Sequence, residues 1–246
     1  MLMDDLRCIV AIVYKDLRAY YFKPPNISWG MLFPFAFLLA FTLRNPANPE
    51  DLVPGLLALT LLFGATSMEA IVITFERRIG ALERLQLAPM RLPALLFGKL
   101  LGGMVFGLIT AFVTLAISAA TFGVDTVRWL ILLSIMVLSA AAFSALGVLV
   151  SVAVKEVFEA QTLANALRFP MIFLGGAFVP VTSFPLALKV LARLLPLTYS
   201  VEGLRAALGQ GSPMVALRAS AVLLAFTRVL LVLYVSVLAL RTAEHF

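Results

Sequence analysis

Six apolar runs, at residues 27–43, 52–75, 95–122, 129–154, 163–181 and 215–240, divide this 246-residue sequence. Crossing about 30 Å of hydrocarbon takes ~20 mostly apolar residues in a helix. Lipid offers no water to satisfy stray amides, so runs of this length span as helices. The first run is short and holds Pro34. The composition agrees: 62% of residues are hydrophobic and 13% charged, with mean hydropathy +1.05, whereas soluble domains carry about 25% charge. The expected fold class is therefore all-α integral membrane, with six transmembrane helices in a single membrane domain over residues 1–246.

The same composition excludes several functions. The net charge of +6 comes from Lys and Arg at the ends of apolar runs, where topology and anionic lipid explain them, so no nucleic-acid partner is expected. Cys8 is the only cysteine and His245 the only histidine. Intrachain disulfides, zinc sites, Cys–His pairs and Ser–His–Asp triads are thereby set aside, and no catalytic residue, metal or cofactor is expected in this chain. No P-loop, His-Glu-x-x-His or Gly-x-Ser-x-Gly motif occurs, so energy for any transport must come from an ion gradient or a partner.

Lys and Arg in the connections set the orientation. The N-terminal stretch has Arg7, Lys15, Arg18 and Lys23, and the second connection has Arg77, Arg78, Arg84, Arg91 and Lys99; the first and third offer only Arg44 and Arg128. The positive-inside rule then predicts a multi-pass protein of the cytoplasmic membrane with both termini in the cytosol. Before the first span, Leu6, Ile9, Val10, Val13 and Leu17 recur at helical spacing until Pro24-Pro25. That pattern predicts an amphipathic interfacial helix over 4–23. The fifth connection is too apolar for a solvated loop and holds two helix-like pieces separated by Pro196. A pair of re-entrant helices over 184–208, on the outer side, would keep their amides satisfied.

Several polar residues lie within the runs. Glu69 sits about six residues above the cytoplasmic end of the second span, and Arg228 near the middle of the sixth. Charges at that depth cost ~2.5–3.5 kcal/mol, so each should face protein or water. Arg228 reaching Glu69 is one expectation; a proton-carrying Glu69 is another. Asn165 and Arg168 share a face of the fifth span, followed by Gly175-Gly176. Helix packing explains small residues there. The sharper reading is a bend at Gly175, Gly176 and Pro180 that forms an outer gate, with Phe169, Phe173 and Phe178 along an apolar path.

The most charged stretch is "FERRIGALERLQLAPMRLP", residues 75–93. On a helical wheel Phe75, Ile79 and Leu82 share one side, flanked by Glu76 and Glu83, while Arg77 and Arg84 point away. This spacing predicts a short surface helix over 76–88, weakened at Gly80 by ~1 kcal/mol relative to Ala. Membrane anchoring and docking of a partner both remain open on that geometry.

Here the sequence resembles a known family. "FERRIGALERLQLAPMRLPALLFGKLL" is similar to the segment after the second span in type-2 permeases of ABC transporters, with Glu76, Arg77, Gly80, Leu82, Glu83, Pro89, Gly98 and Lys99 matching in order. "FLGGAFVPVTSFPLALKVLARLLPLTYSVEGLR" matches a second hallmark through Gly176, Pro180, Pro185, Pro196, Leu197, Thr198, Tyr199, Glu202 and Arg205. The resemblance runs over essentially the whole chain. Arg78 departs from the usual acid and Ala81 from the usual Thr.

The resemblance implies a half-size subunit. Two copies, most simply a homodimer but open to a heterodimer, would form the pathway, and two copies of a separate ABC ATPase would carry ATP and magnesium. The 76–88 helix would be the coupling helix, with docking assigned to Glu76, Arg77, Arg78, Gly80, Leu82, Glu83 and Arg84. The path would run between the second and fifth spans of the two copies, counting Glu69, Asn165, Phe169, Phe173, Gly176, Pro180 and Tyr199 with the path and gate, and Arg228 as a separate intramembrane charge. The expected function is export of a hydrophobic or amphiphilic substrate such as a drug, lipid or lipid-linked glycan. The alternative is a gradient-driven carrier or channel without an ATPase, which would show paired broken helices in both halves. A membrane-embedded lipid enzyme lacks the base and nucleophile it would need.

Overall fold

The computed structural model describes residues 2–23, 36, 39, 52–86, 91–122 and 127–243. Among them the secondary structure is helical throughout. The helices are α1 (Leu2–Asp16), α2 (Val53–Arg78), α3 (Ala81–Gln86), α4 (Leu92–Phe122), α5 (Trp129–Ala153), α6 (Val157–Leu174), α7 (Leu186–Arg193), α8 (Pro196–Ala207) and α9 (Pro213–Ala243). A π turn, Leu17–Tyr21, extends α1, and one 3-10 turn, Val181–Ser183, precedes α7. Four helices, α2, α4, α5 and α9, are long and apolar enough to cross a membrane, matching the second, third, fourth and sixth expected spans. The first expected span, 27–43, lies outside the described residues apart from Ala36 and Leu39. The fifth, expected over 163–181, instead begins six residues earlier and stops at Leu174. Glu156 and Glu159 form a capping box that starts it early. The chain then turns at Gly175 and Gly176, the latter at φ +80°.

α2 is the axis of the bundle. It packs on α4, α5, α6 and α8, and 83% of its apolar window is buried against 17% for α9. Lipid is as apolar as leucine, so burial alone does not hold these helices together; close packing and interhelical hydrogen bonds must. Small residues supply the approach: Ala58, Ala65, Ala111, Ala140 and Ala142 all lie in the central cluster. The Thr60 and Thr114 hydroxyls meet at 3.2 Å between α2 and α4. α7, α8 and the start of α9 gather at the end of the bundle where α2 begins. Pro at the first position of α8 suits a helix start, since its missing N–H would be unpaired there anyway. The 184–208 segment thus contains the two short helices expected of it.

Candidate functional site

The opposite end of α2 carries the densest chemistry. α1 lies along α4, close enough that a Cβ at Gly98 would meet Ile12 at 3.1 Å. That approach brings Asp16 onto Lys99, whose Nζ donates to Asp16 Oδ2 at 2.8 Å and to Glu76 Oε2 at 2.5 Å. Lys15 bridges the same two carboxylates, at 2.5 Å from Glu76 Oε1 and 3.0 Å from Asp16 Oδ1. Two cations and two anions therefore close a ring among α1, α2 and α4. Asp16, Glu76 and Lys99 are buried, with Lys15 at the mouth. Burial raises the Asp16 carboxyl above its ordinary range, against the pull of Lys99. Charges removed from water this far persist because each is matched and hydrogen-bonded.

About two turns along α2 from Glu76, Tyr21 Oη donates to Glu69 Oε1 at 2.5 Å. Both side chains are fully buried, and Glu69 Oε2 has no hydrogen-bond partner among the described residues. Gly103 admits the carboxylate, since a Cβ there would sit 2.6 Å from Glu69 Cγ. Burial lifts the Tyr21 phenol well above its ordinary range, which keeps it protonated as a donor. Arg228 is exposed on α9, so the expected Arg228–Glu69 pair does not form; Tyr21, from a helix outside the spans, takes that place.

The expected docking residues separate into different roles. Glu76 points into the ionic ring rather than to solvent. Arg77 also turns inward, Nη2 donating to Ser151 O at 2.9 Å and Val154 O at 2.5 Å. It thereby satisfies carbonyls at the end of α5, where cations are favoured. Arg78 pairs with Glu156 at 3.0 Å, and both are exposed. The single helix expected over 76–88 is divided: α2 ends at Arg78, Gly80 takes φ +68°, and α3 begins at Ala81. A left-handed backbone is cheap for glycine alone, so Gly80 acts as a corner rather than a weak helical residue. Leu82 packs against the cluster of Ile73, Val148 and Val152. Ile79 and Arg84 are left exposed; the Glu83 side chain lies outside the described residues.

A family model described as "ABC-2 type transporter" matches residues 7–208, from α1 through the end of α8. The chain belongs to the ABC-2 type transporter family. It is 28% identical over 159 residues to the inner membrane transport permease YadH of Escherichia coli, covering 63% of this chain and 61% of that protein. It is 27% identical over 221 residues to the putative transport permease ycf38 of Cyanophora paradoxa, covering 82% and 73%. Nodulation protein J of Rhizobium meliloti is 34% identical over 103 residues, covering 41% and 38%. The chain thus spans less than two thirds of YadH. Family and apolar helices together make this ABC-2 chain a membrane-embedded protein.

The remaining expected path residues of this ABC-2 chain lie along α6 and beyond it. Phe169 and Phe173 are exposed, Phe173 at 68%, and Asn165 Oδ1 accepts from Gln161 at 3.5 Å. Phe178, expected beside them, packs on the central cluster instead. Arg168 is 1% exposed, its guanidinium 5.1 Å from the Phe63 ring of α2. Tyr199 is buried, donating to Arg193 O at 2.9 Å, which makes it a packing residue within the short-helix pair. Pro180 is exposed and opens the 3-10 turn. The ionic ring escaped the sequence reading because its partners lie 61 and 83 residues apart; unusual Lys and Asp placement inside apolar faces was the available signal.

Proposed function

We propose that this chain is the membrane-spanning subunit of an ATP-driven exporter for a hydrophobic or amphiphilic substrate, powered by a separate ABC ATPase. Two copies form the path, between α2 and α6 of each, and two ATPase subunits dock at the α2–α3 corner. ATP and magnesium belong to the ATPase. Membership of the ABC-2 type family carries the reading. The geometry supports it at one point above all: a short helix with exposed Arg84 hangs from the most buried candidate span by a glycine corner, with exposed Ile79 just before that corner. A push on α3 would be transmitted through a rigid element whose tail is tied to α1, α4 and α5. The exposed Phe169 and Phe173 suit an apolar cargo.

The test is co-purification with an ABC ATPase encoded beside this gene, followed by ATP-dependent transport in vesicles. The charge swap Glu83→Arg with Arg84→Glu should abolish stimulation of the ATPase while the bundle stays folded. Unchanged assembly and transport in that variant would refute the docking assignment. Proton-dependent flux without any ATPase would favour a gradient-driven carrier instead.

A further inference from the structure

At the bundle end away from the ionic ring, the bend after α6, the two short helices and the start of α9 enclose a cleft of about 310 Å³. Three arginines line it, Arg193, Arg205 and Arg218, against a single carboxylate, Glu202, for a net charge of +2. Glu202 is engaged, accepting from Arg193 Nη1 at 2.7 Å. Arg205 Nη2 donates to Gly176 O at 3.1 Å, but its buried Nε has no hydrogen-bond partner among the described residues. Arg218 meets no carboxylate among the described residues. A buried donor left open is unfavourable, so this site favours a ligand that brings an acceptor. The cleft is held from behind: Arg128 Nη1 donates to Ala206 O and Gly211 O at 3.2 and 3.0 Å.

The cleft's depth narrows the ligand. Arg218 stands five residues into α9, roughly 7.5 Å along a candidate span at 1.5 Å per residue. That is the level at which long cationic side chains meet the polar headgroups of lipid. Beside it Met214 and Leu217 are largely exposed, offering apolar surface to an alkyl tail. We propose that this arginine cleft binds the phosphate group of an amphiphile, with Arg205 Nε and Arg218 supplying donors that protein acceptors leave unused. Charge-assisted hydrogen bonds to phosphate are the strong kind, and guanidinium geometry matches two phosphate oxygens at once. Binding is a property of the cleft alone and needs neither ATPase nor turnover, so it stands or falls separately from the transport reading.

The test uses the full chain in neutral detergent, titrated with short-chain phosphatidic acid, short-chain phosphatidylcholine and inorganic phosphate. Phosphatidic acid should bind saturably and more weakly as salt is raised. Arg218→Gln, at an exposed position that leaves the fold intact, should weaken it roughly tenfold, the worth of one charge-assisted bond. Glu202→Gln removes the competing carboxylate and frees Arg193, so it should tighten binding several-fold, a gain that no loss of structure would give. Competition by inorganic phosphate would identify a free anion as sufficient; its absence would assign the site to the amphiphile headgroup. Equal affinity for phosphatidylcholine, or a phosphatidic acid affinity unchanged in both variants, would overturn the proposal.

Discussion

Lys99 holds two buried carboxylates at once, and removing it leaves both without their main partner. Breaking a buried pair from one side costs about 3–5 kcal/mol, whereas exposed pairs are worth ~0–1 kcal/mol. Lys99→Met should therefore lower the unfolding temperature in detergent far more than Lys15→Met, since Lys15 keeps partial solvent access. Adding Glu76→Met to Lys99→Met should recover part of the loss, because one stranded charge disappears. A double variant no more stable than the single one would refute this account. At Glu69, Tyr21→Phe removes the phenol hydrogen bond to that carboxylate, and should cost about 1–3 kcal/mol by the same melt. Neither contact was legible in the sequence. The depth of Glu69 was, but the expected reach of Arg228 toward it does not occur, because helical spacing gives no azimuth of one helix relative to another.

Two elements are defined by their ends. Gly80 sits at φ +68°, a region where an added Cβ costs ~1–2 kcal/mol. Gly80→Ala should lower the melting temperature and misdirect α3, while Gly80→Asn should be milder, since asparagine tolerates that region. Equal losses for both would locate the fault in packing instead. At the start of α6, the Glu159 carboxylate accepts from the backbone N–H of Lys155 and Glu156, which holds it below the ordinary value of 4.5. A depressed carboxyl contributes stability above its unfolded value and loses it as pH falls through the folded one. Amide exchange in the first turn of α6 should thus accelerate, beyond its intrinsic pH dependence, on acidification below about 4.5. Glu159→Gln should remove that excess. Apolar run length alone revealed α2, α4, α5 and α9. The α2–α3 corner was harder, because a helical glycine and a left-handed glycine are the same letter in sequence; only the path of the chain distinguishes them.

If two copies pair as proposed, the exposed face of α6 is where the second copy would sit. With Cys8 replaced by Ser, Phe173→Cys should form an intermolecular disulfide under mild oxidation, because Phe173 is exposed beside the proposed path. Crosslinking through exposed α9 positions such as Val232→Cys, but not through Phe173→Cys, would relocate the dimer contact to α9. The family and the all-helical class were readable early, since hydropathy and two sequence hallmarks survive without any tertiary knowledge. What stayed hidden was the division of the charged stretch at residues 75–93. Its local pattern suggests one amphipathic surface, yet the long-range partners of Glu76 and Arg77 draw both side chains into the bundle.

The π turn after α1 carries a consequence for mutational tolerance. Phe22 N–H bonds to Leu17 O at 2.9 Å, the wider closure that brings residues five apart toward one side. Asp16 and Tyr21 are thereby both inward, one on Lys99 and the other on Glu69. Arg18 and Ala19 between them are exposed, so their identities are free. A deletion scan should find substitutions at Arg18 and Ala19 harmless. Loss of Ala19 alone should restore ordinary helical pitch and leave Tyr21 on the same face as Asp16, whereas one residue inserted after Ala19 should swing Tyr21 off its carboxylate and unfasten the N-terminal helix.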